Sequence, residues 1–283
     1  MILFKKSADI SKWLDHQRKK GSAIGFVPTM GAIHLGHISL LKAARKNNQV
    51  TVCSIFVNPA QFNDKADFEK YPITIENDIY QLESNGCDVL FLPPLNEIYP
   101  NGYTELPDYK LGYLDTILEG KFRPGHYQGV CKVVHQLINI IQPAQLFLGQ
   151  KDYQQCLVLK KLLTIQKKDS AINISICPTL RESDGLAMSS RNLLLNNEER
   201  TKASQIYKCL ALIKEKINPA NIPELLKESR KGLLKAGFQL EYLEIADAES
   251  LQIVNEWDDK KKLVVLVAVF LNKIRLIDNI LIT

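Results

Sequence analysis

No apolar run in this sequence is long enough to cross a bilayer; the longest, Leu263 to Leu271, falls well short of the ~20 residues a membrane helix needs. Met1-Ile2-Leu3-Phe4-Lys5-Lys6 lacks the apolar stretch of a secretory signal, so a cytoplasmic protein with no membrane partner is expected. Cysteine is sparse: Cys53, Cys87, Cys131, Cys156, Cys177 and Cys209 form no C-x-x-C and mostly fall inside apolar runs. They read as reduced core residues rather than a disulfide framework. Net charge is +5, but 36 Lys and Arg are dispersed among 31 acidic residues, with no basic arm and no aromatic-basic ladder. That favours a small anionic ligand over a nucleic-acid track. Internal repeats, low-complexity tracts and long linkers are also missing.

What is present is alternation. With 283 residues, 46% hydrophobic and 24% charged, the chain exceeds one comfortable core, and a large domain plus a smaller one is expected. Short β-branched runs at Ile2–Lys5, Ile24–Pro28, Val50–Asn58, Asp88–Pro93, Gln145–Gly149 and Ile172–Cys177 read as strands buried on both faces. Between them, helices are predicted from about Ser7, His37, Thr74, Gly129 and Asp152. In the fourth, Val130, Val133, Val134, Leu137, Ile138 and Ile141 repeat at helical spacing, with Pro143 beyond the end. The pattern predicts an α/β fold, a Rossmann-like doubly wound parallel sheet that binds ligands at the carboxyl ends of its strands. After Pro178 it changes: helices at Asn197–Ile217 and Pro223–Ala236 precede strands at Leu240–Ile245, Lys262–Phe270 and Ile274–Leu281. Residues 1–176 are expected to form the nucleotide-binding domain. Residues 177–283 are expected to form a smaller α+β domain closing over the active site, with the loop 178–192 bridging the two.

Four segments carry chemistry. Pro28-Thr29-Met30-Gly31 leads from a strand to His34-Leu35-Gly36-His37 at the start of a helix, where backbone N–H groups and the helix dipole favour an anion. Two imidazoles three residues apart can each donate a hydrogen bond to a phosphoryl oxygen, which suits attack at the α-phosphate of a nucleotide. The same pair is also consistent with helix capping or with a metal, although no H-E-x-x-H and no third ligand is evident. Asn58 and Gln61 flank Pro59 at a strand end, and their uncharged amides suit a substrate bearing hydroxyl and carboxylate groups, or simply a satisfied turn. Gly149-Gln150-Lys151-Asp152 again joins strand to helix, with Lys151 as phosphate partner, Asp152 as N-cap and Gln155 on the cleft side; a capped helix with a solvated Lys is the plainer alternative. Asp184-Gly185-Leu186-Ala187-Met188-Ser189-Ser190-Arg191-Asn192 offers a row of donors suited to a mobile clamp on the β- and γ-phosphates.

Taken together, Pro28–His37, Ile55–Phe62, Phe122–Val130, Gly149–Gln155 and Asp184–Asn192, followed by Leu271–Asn279, resemble the pantothenate synthetase (pantoate–β-alanine ligase) family, in family order and over nearly the whole chain. That family belongs to the H-x-G-H nucleotidyltransferases, similar in core to class I aminoacyl-tRNA synthetases, with Met188–Arg191 resembling their K-M-S-K-S loop. The resemblance implies a homodimeric ligase that uses ATP and Mg²⁺ to join (R)-pantoate to β-alanine through a pantoyl adenylate, releasing AMP and diphosphate. By motif it assigns ATP to Met30, Gly31, Ala32, Ile33, His34, Leu35, Gly36, His37, Gly149, Gln150, Lys151, Asp152, Leu180, Met188, Ser189, Ser190 and Arg191. His37 is the implied acid, with His34, Lys151 and Arg191 also catalytic, and Leu180 touches adenine through its backbone. Pantoate falls to Gln61 and Gln155, with Asn58 beside them, and Gln61 also serves β-alanine. No metal ligand is assigned; Mg²⁺ rides largely on phosphates and water, with Asp78 the one protein candidate. His16 and His135 read as structural, and His126 as lining the cleft mouth. Gln150 stands where the family often has Glu, which alters local charge only. Two rivals remain: another H-x-G-H adenylyltransferase, such as a tRNA-charging enzyme, and a catalytically silent nucleotide-binding module.

Overall fold

A computed structural model describes residues 1–282, the side chains of Lys65 and Ala66 excepted. In chain order the elements are β1 (Ile2–Phe4), α1 (Ser7–Lys19), β2 (Ile24–Thr29), α2 (Leu35–Asn47), β3 (Val50–Ile55), α3 (Lys65–Glu69), α4 (Ile75–Ser84), β4 (Val89–Phe91), α5 (Leu95–Ile98), α6 (Leu118–Phe122), α7 (His126–Ile141), β5 (Gln145–Gly149), α8 (Tyr153–Ile165) and β6 (Asn173–Cys177). There follow α9 (Asn197–Ala203), α10 (Gln205–Lys216), α11 (Ile222–Lys235), β7 (Gln239–Asp247), β8 (Leu263–Leu271) and β9 (Ile274–Ile282). Two compact units result, Met1–Gly149 with Gln154–Pro178, and Gln150–Tyr153 with the chain from Thr179. Among the described residues no helix is long and apolar enough to cross a membrane.

In the first unit six parallel strands run in the order β1-β4-β3-β2-β5-β6. Adjacent residues of β2 face opposite sides of the sheet. Phe26 packs with Ile10 and Leu14 of α1, with α7 and with α8, whereas Val27 packs with Ile38, Leu41 and Ala44 of α2 and Leu82 of α4. Both faces are therefore covered, which explains strands that read as unbroken apolar runs. β2 pairs with β3 on one side and β5 on the other, so the order reverses here. Such a switch point leaves a crevice at the carboxyl ends, next to Thr29 and Gly149.

The second unit is a three-stranded antiparallel sheet, β7-β8-β9. Leu243 and Ile245 of β7 and Val265, Val267 and Val269 of β8 pack beneath Ile206, Leu210 and Ile213 of α10 and Leu225, Leu226 and Leu233 of α11.

Several element ends differ from the sequence expectation, each for a local reason. The helix expected from His37 starts at Leu35 because His34 caps it. The one expected from Gly129 starts at His126, after Gly125 turns the chain in the left-handed region at φ +80°. The expected helix Asn197–Ile217 is two helices, α9 and α10, broken at Ser204, whose hydroxyl donates to the Thr201 carbonyl at 2.9 Å. The strand expected to reach Asn58 ends at Ile55, ahead of a tight turn at Pro59–Gln61. Asp152 closes a 3₁₀ turn, Gln150–Asp152, that runs straight into α8.

Candidate active site

The turn after β2 is built around a buried carboxylate. Gly31 (φ +84°) and Ala32 (φ +48°) are both left-handed, a conformation that costs a non-glycine residue roughly 1 kcal/mol or more. A Cβ on Gly31 would sit 3.0 Å from an oxygen of Asp78. Asp78 of α4, fully buried, compensates by accepting the Ala32 N–H at 2.9 Å, the Ile33 N–H at 2.8 Å and the Thr74 hydroxyl at 2.9 Å. Its oxygens hold the loop, so the sequence-based candidacy of Asp78 as a Mg²⁺ ligand gives way to an anchoring role. Thr29 adds a second tie, donating to the Ser54 carbonyl at 2.7 Å and accepting from Gly31 N–H at 3.2 Å.

That anchored turn delivers the histidine pair. Nδ1 of His34 accepts the Gly36 N–H at 3.1 Å, and Nδ1 of His37 accepts the His34 N–H at 3.4 Å. The rings lie 4.0 Å apart, tilted by 32°. The capping alternative is thus realised, and it has a chemical consequence: an Nδ1 that accepts a backbone N–H places the imidazole proton on Nε2. Among the described residues no group of three or more His, Cys, Asp or Glu is arranged to hold a metal ion.

Gln61 lies in the turn after β3 and its amide is fixed on both ends. Oε1 accepts from Asn58 Nδ2 at 3.0 Å, and Nε2 donates to the Met30 sulfur at 2.9 Å, which joins this turn to the His-bearing loop. Asn58 realises the satisfied-turn alternative. Rather than offering its amide to a substrate it is 1% exposed and fully engaged, accepting from the Tyr99 hydroxyl at 2.8 Å and from Ala60 N–H at 3.3 Å, and donating to the Gly129 carbonyl at 3.1 Å. Its role is to orient Gln61. Burial pushes the Tyr99 hydroxyl well above its ordinary pKa, so it stays a donor. Gly129 is where α7 presses on this turn; a Cβ there would lie 2.1 Å from the Ala60 carbonyl oxygen. His126, expected at the cleft mouth, is buried beneath the same turn, donating from Nδ1 to the Gln61 carbonyl at 2.8 Å. Gln155 lies half-buried in the first turn of α8. Its neighbour Gln154 is structural, donating to the carbonyls of Leu114 and Ile117. His135 is likewise structural: Nδ1 meets the Tyr109 hydroxyl, and burial lowers its pKa.

Of the remaining motif residues Gly149 ends β5 in the first unit, and Gln150–Asp152, Leu180 and Met188–Arg191 belong to the second. Lys151 sits in the turn Gln150–Asp152, its ammonium 4.0 Å from the Asp152 carboxylate. Both carbonyls of Gln150 and Lys151 accept from the side chain of Asn279, at 2.9 and 2.8 Å, and Gln150 Nε2 returns a hydrogen bond to Asn279 Oδ1 at 3.3 Å. A glutamine at 150 therefore meets a carbonyl oxygen that an ionised glutamate would oppose. The segment Leu180–Met188 doubles back on itself, Met188 N–H donating to the Leu180 carbonyl at 3.0 Å and Glu182 N–H to that of Leu186 at 2.8 Å. It ends at Ser189, whose hydroxyl accepts the Arg191 N–H at 3.3 Å and caps a 3₁₀ turn over Ser190–Leu194. Arg181 grips Asp278 through both nitrogens, at 2.7 and 3.0 Å, and lies 4.2 Å from the centre of the Tyr207 ring. Burial pushes the Asp278 carboxyl above its ordinary value, opposed by Arg181. The bearing of Asp78, Tyr99, Gly129, Arg181 and Asn279 on these motifs was not assigned from sequence; Asp278 and Asn279 fall in the last motif run, but without a role.

A family model described as pantoate-β-alanine ligase matches residues 2–281. The pantothenate synthetase of Cytophaga hutchinsonii is 43% identical over 274 residues, 95% of each chain. Among solved structures, pantothenate synthetase from Thermus thermophilus superposes with a TM-score of 0.89 at 36% identity, covering 99% of both chains. Pantoate-β-alanine ligase from Francisella tularensis, in complex with β,γ-ATP and β-alanine, does so with a TM-score of 0.81 at 37% identity over 99% of this chain and 97% of that one. With such likeness along its whole length, joined to a histidine-capped turn after β2 and a fixed amide beside it, the chain belongs to the pantoate-β-alanine ligase family.

Proposed function

We propose that this chain condenses (R)-pantoate with β-alanine, using ATP and releasing AMP and diphosphate. A carboxylate is a poor electrophile toward an amine, so one pantoate oxygen first attacks the α-phosphorus in line, forming pantoyl adenylate and expelling diphosphate. The β-alanine amine then attacks the acyl carbon, the amide forms, and AMP leaves. Both steps need position and charge stabilisation rather than a protein nucleophile. Family membership carries this reading, and the local chemistry supports it: the linkage from the His34 and His37 loop through Met30 to Gln61 ties a phosphate-facing turn to an amide suited to a hydroxy acid.

In this reading the residues that serve ATP are Met30–His37, Gly149–Asp152, Leu180 and Met188–Arg191. His34 and His37 donate from Nε2 to phosphoryl oxygens, Lys151 and Arg191 balance the charge that builds on them, and Gln61 and Gln155 hold pantoate. Mg²⁺ arriving with the nucleotide would supply positive charge to offset that of the departing diphosphate, and no residue of this chain is assigned as its ligand. The chain acts as a cytoplasmic homodimer, a state that sedimentation equilibrium measures.

Mass spectrometry of the protein with ATP and pantoate, before and after β-alanine, tests the reaction: pantoyl adenylate is expected first and pantothenate second. His37→Ala and Lys151→Ala are expected to cut single-turnover adenylate formation by about 10²-fold or more with the fold intact. Gln61→Ala and Gln155→Ala should raise the pantoate KM about tenfold. Adenylate formation that survives both the His37 and the Lys151 substitution would remove those residues from the chemistry.

A further inference from the structure

Strand β9 carries two adjacent buried polar residues, Asp278 and Asn279. Neighbours on a strand face opposite sides of the sheet. Asp278 lies opposite Val267, which packs under α10 and α11, and Asn279 lies opposite Leu266 on the next position. One side chain therefore points toward the helices and the other away from them.

Each has a separate task. On the helix side Asp278 receives both nitrogens of Arg181, and the same guanidinium donates to the carbonyls of Gly185 and Asn279, both at 3.1 Å. Arg181 thereby ties the folded segment Leu180–Met188 to the strand at three points. On the other face the Asn279 amide donates to the carbonyls of Gln150 and Lys151 and accepts from the Gln150 side chain. Its backbone N–H donates to Asp278 Oδ1 at 2.8 Å, which links the two sets. A buried ion pair contributes little stability beyond what apolar residues of the same volume supply, and a buried amide must satisfy every donor and acceptor it has. What the two together provide is registry between three stretches of chain far apart in sequence.

We propose that Asp278 and Asn279 are positioning residues for the nucleotide: Asn279 fixes the turn that presents Lys151, and Asp278, acting through Arg181, fixes the segment that presents Met188–Arg191. Strand β9 then sets how far apart the two cationic segments stand, although neither residue touches ATP. The proposal rests on the assignment of those segments to ATP made above. It expects damage confined to nucleotide use, since Gln61 is held by Asn58 and Met30 rather than by strand β9.

Asn279→Asp keeps the shape of the side chain but sets an acceptor against two carbonyls; Arg181→Lys keeps the charge but loses the fork. Both are compared with the unaltered protein by pantoate-dependent diphosphate release, by direct titration with ATP alone, and by thermal melting. The expected result is a rise of about tenfold in the ATP KM and the ATP dissociation constant of each variant, with the pantoate KM within about twofold. ATP constants within twofold of the unaltered protein in a folded variant overturn the proposal, as does a parallel loss of ATP and pantoate saturation with lowered melting. If Asn279→Asp does not fold, Arg181→Lys decides. Were the unaltered protein to bind ATP yet release no diphosphate with pantoate, the proposed reaction would fail while the ATP titration still judged the positioning role.

Discussion

The histidine pair shows how a capping interaction selects a chemical state. With Nδ1 of His34 and of His37 each accepting a backbone N–H, protonating that nitrogen would break a cap hydrogen bond, and the N-terminal end of α2 further disfavours a cation. His37 is therefore expected to be the neutral Nε2–H tautomer at pH 7, a donor to phosphate that needs no positive charge. Nitrogen-15 NMR of the imidazole, recorded with His37→Gln for assignment, should show a protonated Nε2 and an unprotonated Nδ1; an imidazolium at neutral pH would refute this. The pair itself was legible in the sequence because H-x-G-H is local. Asp78 was not, since it meets Ala32 and Ile33 across separations of 46 and 45 residues, and only the closing of α4 against the sheet reveals why the turn after β2 can hold two left-handed residues. For Asn58 the sequence left a substrate-facing amide and a satisfied turn both open, and the choice falls to Tyr99 and Gly129, which arrive from distant segments to bury it.

At the level of elements, hydrophobic period located the strands and long helices, while their ends depended on chemistry the period does not record. The start of α7 follows the left-handed Gly125, and the break between α9 and α10 follows the Ser204 hydroxyl; neither disturbs the apolar spacing. Short helices such as α5 and α6 have too few turns to show a period at all. The approach of α7 to the turn Pro59–Gln61 is the interface on which the position of the Gln61 amide depends. Because a Cβ on Gly129 would overlap backbone atoms of Ala60 and Gln61, no side-chain rotation can relieve it. Gly129→Ala is expected to destabilise the fold by about 1–3 kcal/mol and to raise the pantoate KM more than the ATP KM. Denaturant unfolding and steady-state kinetics measure the two effects, and an unchanged pantoate KM would show that the turn is not held by this contact.

At the scale of the whole molecule, the sequence indicated a parallel α/β body followed by a smaller α+β one, because the change from alternating to clustered elements after Pro178 is a property of the chain itself. It did not indicate that Gln150–Tyr153 group with the C-terminal unit, since that grouping is made by Asn279 and by the Tyr153 hydroxyl donating to the Ala248 carbonyl at 2.8 Å. The thiols follow from the same architecture. Cys53, Cys87, Cys131 and Cys156 are buried within the first unit, and Cys177 and Cys209 are half-buried. Burial pushes Cys53 well above its ordinary pKa, Cys87 up to about 12, and Cys131 upward as well, while Cys177 and Cys209 also rise. Only the thiolate attacks disulfide reagents, so a raised pKa and lack of access act in the same direction. Titration of the native protein with an aromatic disulfide at pH 8 should modify at most Cys177 and Cys209 within minutes, and all 6 thiols only after denaturation. Prompt loss of Cys53 or Cys87 in the native state would mean that the sheet opens far more readily than its two-sided packing allows.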